Sequence, residues 1–332
     1  MNNLFYTLRQ KAKTDPRWII LPEGEEKRVQ DAARLIVKEK IARIILFDKN
    51  GGLEGLFEKE IASGFLRIIE INKNSLFEKY AGLYAELRKK KGIDLGIARK
   101  IISENPVFLS ALMVEEGEAN GFVAGASLST ADVARAAIHC IKKKAESLVI
   151  GVFIMVVPDC IYGERGLFVF ADCAIIPDPS SEELAKISLE TADFTRKILG
   201  ITPRIALLSY STKGSSTGER IDRVRMALEI VKEKSPEILI DGEFQADTAI
   251  VPEVAKIKFP YSPIAGRANV LIFPNLEAGN CAYKLVHRLA KARAVGPILL
   301  GLGKPASDLS RGCAVEDIID AVAVTVVRAQ NQ

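Results

Sequence analysis

A hydroxyl, a guanidinium, a flexible glycine and a carboxylate fall within eight positions in Ser310-Arg311-Gly312-Cys313-Ala314-Val315-Glu316-Asp317, near the end of a 332-residue chain. These side-chain types suit the handling of an anion and a proton. A guanidinium grips phosphate, a hydroxyl donates to developing negative charge, and a carboxylate accepts a proton. The polar run 304–317 follows an apolar run at 298–302 and opens a helical pattern. It therefore reads as a loop at the carboxyl end of a strand, where α/β proteins collect ligands. The same spacing also fits a plain helix start, with Ser310 as a cap and Asp317 as a first-turn acid that complements the helix dipole.

A second set, Gly125-Ala126-Ser127-Leu128-Ser129-Thr130-Ala131-Asp132-Val133-Ala134-Arg135, leads from a strand-like segment into a helix. Free N–H groups at a helix start, two hydroxyls and Arg135 one turn later suit a phosphate, while an ordinary cap at Ser129 or Thr130 suits the pattern equally. Ser209-Tyr210-Ser211-Thr212-Lys213-Gly214-Ser215-Ser216-Thr217-Gly218-Glu219-Arg220 also sits between a strand and a helix. Glu219 stands where a triphosphate-binding loop needs lysine, which argues against a nucleoside triphosphate. The runs Arg88-Lys89-Lys90-Lys91 and Lys142-Lys143-Lys144 read as solvated helix faces, unless Arg88 turns into a cleft.

Composition narrows the chemistry. Two histidines and five scattered cysteines without C-x-x-C spacing supply neither a histidine-rich metal site, a Ser-His-Asp triad nor a disulfide framework. A net charge of +4 suits small anionic ligands such as phosphorylated metabolites better than nucleic acid. The charged N-terminal segment and the short apolar runs fit neither a signal peptide nor a membrane span, so a cytoplasmic protein is expected.

These residues must be positioned by a scaffold in which short apolar runs alternate with helical patterns. Strand candidates at 18–22, 42–47, 65–71, 121–124, 148–157, 167–173, 204–208, 238–241, 270–273 and 298–302 predict an α/β fold with mostly parallel sheets and flanking helices. The turn-forming Tyr162-Gly163-Glu164-Arg165-Gly166 predicts an antiparallel hairpin within 148–179. Two lobes are expected: 1–146 plus 294–332 as the first, 147–293 as the second, with the active cleft between them. Val315, Ile318, Ile319, Val322 and Val326 give the last helix an apolar face that must dock on a finished sheet.

The blocks Asn105-Pro106-Val107-Phe108, 121–135, Val169-Phe170-Ala171-Asp172-Cys173, 208–218, Asp241-Gly242-Glu243-Phe244-Gln245-Ala246-Asp247, Val251-Pro252-Glu253-Val254-Ala255, 268–276 with Ala278-Gly279-Asn280, and 309–317 run collinearly through nearly the whole chain. In them the sequence resembles the phosphate acetyltransferases, or phosphotransacetylases, in their short form without an N-terminal regulatory domain. The resemblance implies acetyl-CoA plus phosphate giving acetyl phosphate plus coenzyme A through a ternary complex. It also implies no metal or permanently bound cofactor, an isocitrate/isopropylmalate dehydrogenase-like fold, a homodimer, and acetate kinase as functional partner.

Carried over by motif, Asp317 is the base that takes the coenzyme A thiol proton, Arg311 the phosphate clamp and Ser310 the oxyanion donor. Arg88, Ser129, Thr130, Arg135 and Arg288 become substrate contacts. A free aspartate titrates near 4 and a thiol near 8.5, so this transfer is uphill by roughly 6 kcal/mol and the site must tune its groups. The helix opening departs from the family's commoner form, in which a threonine-rich run leads to Arg-Pro: Leu128-Ser129 precedes Thr130, and Ala136 follows Arg135.

The competing readings are phosphate butyryltransferase or another short-chain phosphate acyltransferase, a metal-dependent decarboxylating dehydrogenase, and a non-catalytic phosphotransacetylase-like regulatory domain. Retention of Ser310, Arg311 and Asp317 together speaks against the last.

Overall fold

Among the described residues, eleven strands carry the chain: β1 (Trp18–Leu21), β2 (Arg43–Asp48), β3 (Leu66–Glu70), β4 (Gly121–Ala124), β5 (Ile150–Val156), β6 (Leu167–Ala171), β7 (Arg204–Leu208), β8 (Leu239–Phe244), β9 (Val270–Ile272), β10 (Arg293–Leu300) and β11 (Ala306–Asp308). The computed structural model describes residues 4–71 and 75–332. Met1, Asn2 and Asn3, part of the expected first lobe and of its amphipathic N-terminal segment, lie outside them.

The first unit comprises Leu4–Ala145 and Leu302–Gln332. Its strands run β3-β2-β1-β4-β11, all parallel, with helices between them. The order reverses between β1, whose chain continues to β2 on one side, and β4 on the other. Such a switch point opens a crevice at the carboxyl ends of the strands.

Helix Lys27–Lys38 buries Val29, Ala32, Ala33, Ile36 and Val37, the i, i+3, i+4 stripe of an amphipathic helix. The terminal helix Val315–Gln330 goes further than the single apolar face expected from its sequence. Every residue from Ile318 to Ala329 is buried, because the helix packs against helices Leu4–Thr14 and Lys27–Lys38 as well as β4. Even Asp320 is enclosed, and Arg9 Nε donates to its Oδ1 at 2.7 Å.

The second unit, Glu146–Gly301, is ordered β10-β5-β6-β9-β7-β8. The hairpin expected around Tyr162 is present as antiparallel β5 and β6. The strands β6, β9, β7 and β8 are mutually parallel. A core of Phe153, Phe168, Phe170, Phe244, Phe273 and Tyr283 fills one side.

Two sequence expectations need correction. The return to the first lobe does not begin at 294, because β10 pairs antiparallel with β5 from Arg293 to Leu300 and so belongs to the second unit. The polar character of Ser307 and Asp308 also hid a strand: β11 lies parallel to β4, with Ala306, Ser307 and Asp308 opposite Phe122, Val123 and Ala124. Ser307 is satisfied there by the Thr325 hydroxyl at 2.9 Å. The loop carrying Ser310 thus leaves the end of β11 rather than that of an apolar run at 298–302.

Candidate active site

At the carboxyl ends of β1, β4 and β11, two loops meet, 125–129 and 309–314. Both are held by residues that the sequence did not single out. The Glu23 carboxylate, just past β1, fills the backbone nest at 125–128. Its Oε2 accepts from the N–H groups of Gly125 (2.7 Å) and Ala126 (3.0 Å), and its Oε1 from Ser127 N (2.6 Å), Ser127 Oγ (2.7 Å) and Leu128 N (3.1 Å). The anion that the switch point attracts is thus an internal one. Of the two readings open for this segment, the hydroxyl arrangement is that of a cap: Ser129 Oγ accepts from Asp132 N at 3.2 Å and donates to Asp132 Oδ2 at 2.6 Å. Arg135 pairs with Asp132 at 2.9 Å on the exposed side of the helix Thr130–Cys140.

Arg28 staples the loops together. Its Nη1 donates to the carbonyls of Arg311 and Cys313, both at 2.9 Å, and its Nη2 to Ala126 O at 2.9 Å, while Nε meets Glu26 at 2.9 Å. With its main chain so fixed, Arg311 is exposed, and no hydrogen bond holds its guanidinium among the described residues. Ser310 is also exposed, its Oγ accepting from Gly312 N at 3.3 Å. Asp317, half-buried, accepts from Ala314 N at 2.8 Å through Oδ2, the reach-back of a first-turn acid to the helix start. Cys313 is buried, and burial pushes its thiol up to about 11; Asp317 and Glu23 add to the rise and Arg28 opposes it. A thiol so placed is a poor nucleophile.

A third group the sequence did not flag is Asp308, the last residue of β11. It is fully buried and neither oxygen has a hydrogen-bond partner among the described residues. Burial pushes it up to about 7. The Thr130 hydroxyl, the Leu309 N–H and the Arg311 charge moderate that rise, and the Glu23 charge adds to it. Gly125, at φ +109°, passes so close that a Cβ there would lie 2.1 Å from Asp308 Oδ1.

Ser310, Arg311, Asp317 and, across Asp308, Thr130 therefore share one place. Arg88 and Arg135 form a different group, around His139. Arg88 Nη2 lies 3.3 Å from His139 Nε2, and Tyr84 Oη 3.1 Å from Nδ1. Since arginine only donates, Nε2 accepts and Nδ1–H faces the tyrosine. Burial, Arg88 and Arg135 all push the imidazole pKa down. His139 stands nine residues after Thr130, about 13 Å along the helix. Arg288 is exposed in the last turn of Leu276–Leu289, in the second unit.

The second unit repeats the device of a carboxylate in a backbone nest. Asp172 accepts from the N–H groups of Gly151, Ala174, Ile175 and Ile176. Glu243 takes Gly214 N at 2.9 Å, the Ser211 hydroxyl at 3.0 Å and the Arg225 fork at 2.9 and 3.0 Å. Burial opposes its ionisation, but these donors hold it down at about 2. The loop 209–218 is thus organised around Glu243. Among the described residues no set of three His, Cys, Asp or Glu side chains is placed to hold a metal ion, and no helix is long and apolar enough to cross a membrane.

The family model for phosphate acetyl/butaryl transferase matches residues 3–326. A phosphate acetyltransferase from Thermoanaerobacterium thermosaccharolyticum is 47% identical over 333 residues, covering 99% of this chain and 100% of that protein. One from Clostridium acetobutylicum is 44% identical over 331 residues, with 99% of each covered. The crystal structure of a phosphotransacetylase from Streptococcus pyogenes superposes with a TM-score of 0.89 at 39% identity, covering 100% of this chain and 99% of that one.

Proposed function

We propose a mechanism from one premise: the chain belongs to the phosphate acetyl/butaryl transferase family, and its reaction is acetyl transfer between coenzyme A and inorganic phosphate. In the direction that consumes acetyl phosphate, Asp317 removes the thiol proton of coenzyme A, and the thiolate attacks the acetyl carbonyl carbon. Ser310 donates to the oxyanion of the tetrahedral centre, and Arg311 holds the phosphate as its bond to carbon breaks. Thr130 borders the same place. Arg88, Arg135 and Arg288 offer positive charge to the anionic groups of coenzyme A and acetyl phosphate. The exposed Arg135–Asp132 pair is weak enough to exchange, whereas Ser129 must first release Asp132.

The observation that carries this reading is the exposed Arg311 guanidinium, without a hydrogen bond among the described residues, on a loop whose carbonyls Arg28 has fixed, between Ser310 and Asp317. A preorganised cation with an open fork stabilises charge that develops during reaction. We also infer that the enzyme works as a cytoplasmic homodimer beside acetate kinase, with coenzyme A as substrate and no resident cofactor. The family resemblance supports this, and the second unit exposes the large apolar side chains Ile161, Ile257, Tyr261 and Leu289.

The test is acyl phosphate formation from phosphate and acetyl-, propionyl- or butyryl-CoA with EDTA present. Turnover should be fastest with the acetyl compound and depend on both substrates. Asp317→Asn should lower kcat, and Arg311→Gln should raise the KM for phosphate. Undiminished turnover in Asp317→Asn would remove the base, and absence of turnover with every acyl-CoA would remove the reaction.

A further inference from the structure

The loop that presents Arg311 begins with a carboxyl group that nothing in the proposed mechanism uses. Asp308 is fully buried, its oxygens have no hydrogen-bond partner among the described residues, and it lies three residues before Arg311, whose charge acts on it. An ionised carboxylate without donors in a dry site is costly, so such a group either keeps its proton or draws in a cation. Arg311 is the cation within reach. Of the other neighbours, the Glu23 charge works against ionisation, whereas the Thr130 hydroxyl and the Leu309 N–H favour it only in part. Glu23, from the segment after β1, places a second negative charge nearby, helix Thr130–Cys140 offers only the Thr130 hydroxyl, and the Leu309 N–H belongs to the same loop. Glu23 contrasts with Asp308 because its five hydrogen bonds satisfy a full negative charge in the adjoining loop.

We propose that Asp308 is a positioning residue for anion binding: as the neutral acid it leaves the Arg311 guanidinium open to substrate phosphate, and as the carboxylate it draws the guanidinium back and closes the clamp. This rests on the assignment of Arg311 as the phosphate clamp. The change is a single proton passing between Asp308 and solvent, with no bond made or broken elsewhere. Because burial places that proton's midpoint at about 7, anion binding weakens as the medium turns alkaline. A group that only fills space would leave no such signature.

Inorganic phosphate itself titrates in this range, so the probe is sulfate, which keeps its charge throughout. Its inhibition constant against phosphate is measured from pH 6.5 to 8.5. In the wild-type chain it should rise roughly 25-fold, following the fraction of neutral acid about a midpoint near 7. In Asp308→Asn, whose amide cannot ionise, it should stay nearly level. Calorimetry of sulfate binding to the wild-type chain at pH 8, in two buffers of different ionisation enthalpy, gives a readout that needs no variant. Binding should take up most of one proton.

Equal pH slopes in the two proteins, or binding without proton uptake, overturns the role of Asp308. The premise fails separately: if Arg311→Gln leaves the sulfate constant unchanged at pH 6.5, the clamp assignment falls whatever Asp308 does. A rise in that variant together with equal slopes removes the Asp308 inference alone.

Discussion

Replacing Glu23 by glutamine tests whether the loop at 125–128 is built around an internal anion. In the native chain both carboxylate oxygens are used, Oε2 by two backbone N–H groups and Oε1 by two more and the Ser127 hydroxyl, at 2.6 to 3.1 Å. An amide keeps one acceptor and turns an NH2 group toward N–H donors, so at least two bonds are lost. Hydrogen bonds to a charged group contribute about 1.5–3 kcal/mol each, and a buried donor left unmet costs more, while loop relaxation recovers part. The expected loss is about 3–5 kcal/mol. Denaturant unfolding measures the total, and amide exchange at Gly125, Ala126 and Leu128 shows whether the loss is local. Glu23→Ala adds a further arm, since it empties the nest: formate should raise the melting temperature of that variant and not of the wild type. A glutamine variant within about 1 kcal/mol of wild type, or equal stabilisation of both proteins by formate, would refute the reasoning.

Three other consequences are open to measurement. Asp308 sits at about 7 when folded against an ordinary 3.8, so the folded chain holds its proton while the unfolded chain has lost it between pH 4 and 7. Stability from this group is therefore present in acid and lost as pH rises through that window, by about 4 kcal/mol at about 1.4 per pK unit. The unfolding free energy of Asp308→Asn relative to wild type should climb by that amount from pH 4 to 8, and a flat difference would contradict the buried, unpaired carboxyl. Arg28→Ala removes the donors to Arg311 O, Cys313 O and Ala126 O. It should cost about 2–3 kcal/mol and speed amide exchange at Gly312 and Cys313; unchanged exchange there would show that the staple holds nothing. Among the cysteines, Cys281 is exposed and Cys313 is buried with a thiol pushed up to about 11. Iodoacetamide at neutral pH should modify Cys281 first, and mass spectrometry finding Cys313 first would reverse that ranking.

The sequence by itself determined the α/β class, most strand positions, the hairpin around Tyr162 and the family to which the chain belongs. These rest on local periodicity, turn chemistry and collinear motifs, all written along one stretch of chain. It also marked Ser310, Arg311 and Asp317 as chemically suited, but their roles came from resemblance, because Asp317 equally serves as a first-turn acid and does accept from Ala314 N. The strand Ala306–Asp308 escaped notice because its polar residues are satisfied or enclosed only once it lies beside β4.

Only the tertiary structure decided what surrounds that site. Glu23 and Arg28 are about 100 and 285 positions from partners they hold, a separation at which no periodicity signals a contact. Asp308 looked like any polar loop residue, and its distinction comes from burial and the absence of donors, both properties of the folded surroundings. The backbone nest at 125–128 had the local form of a phosphate site. What fills it was settled by a carboxylate delivered from the end of a neighbouring strand, because pairing β1 with β4 brings Glu23 there before any ligand arrives.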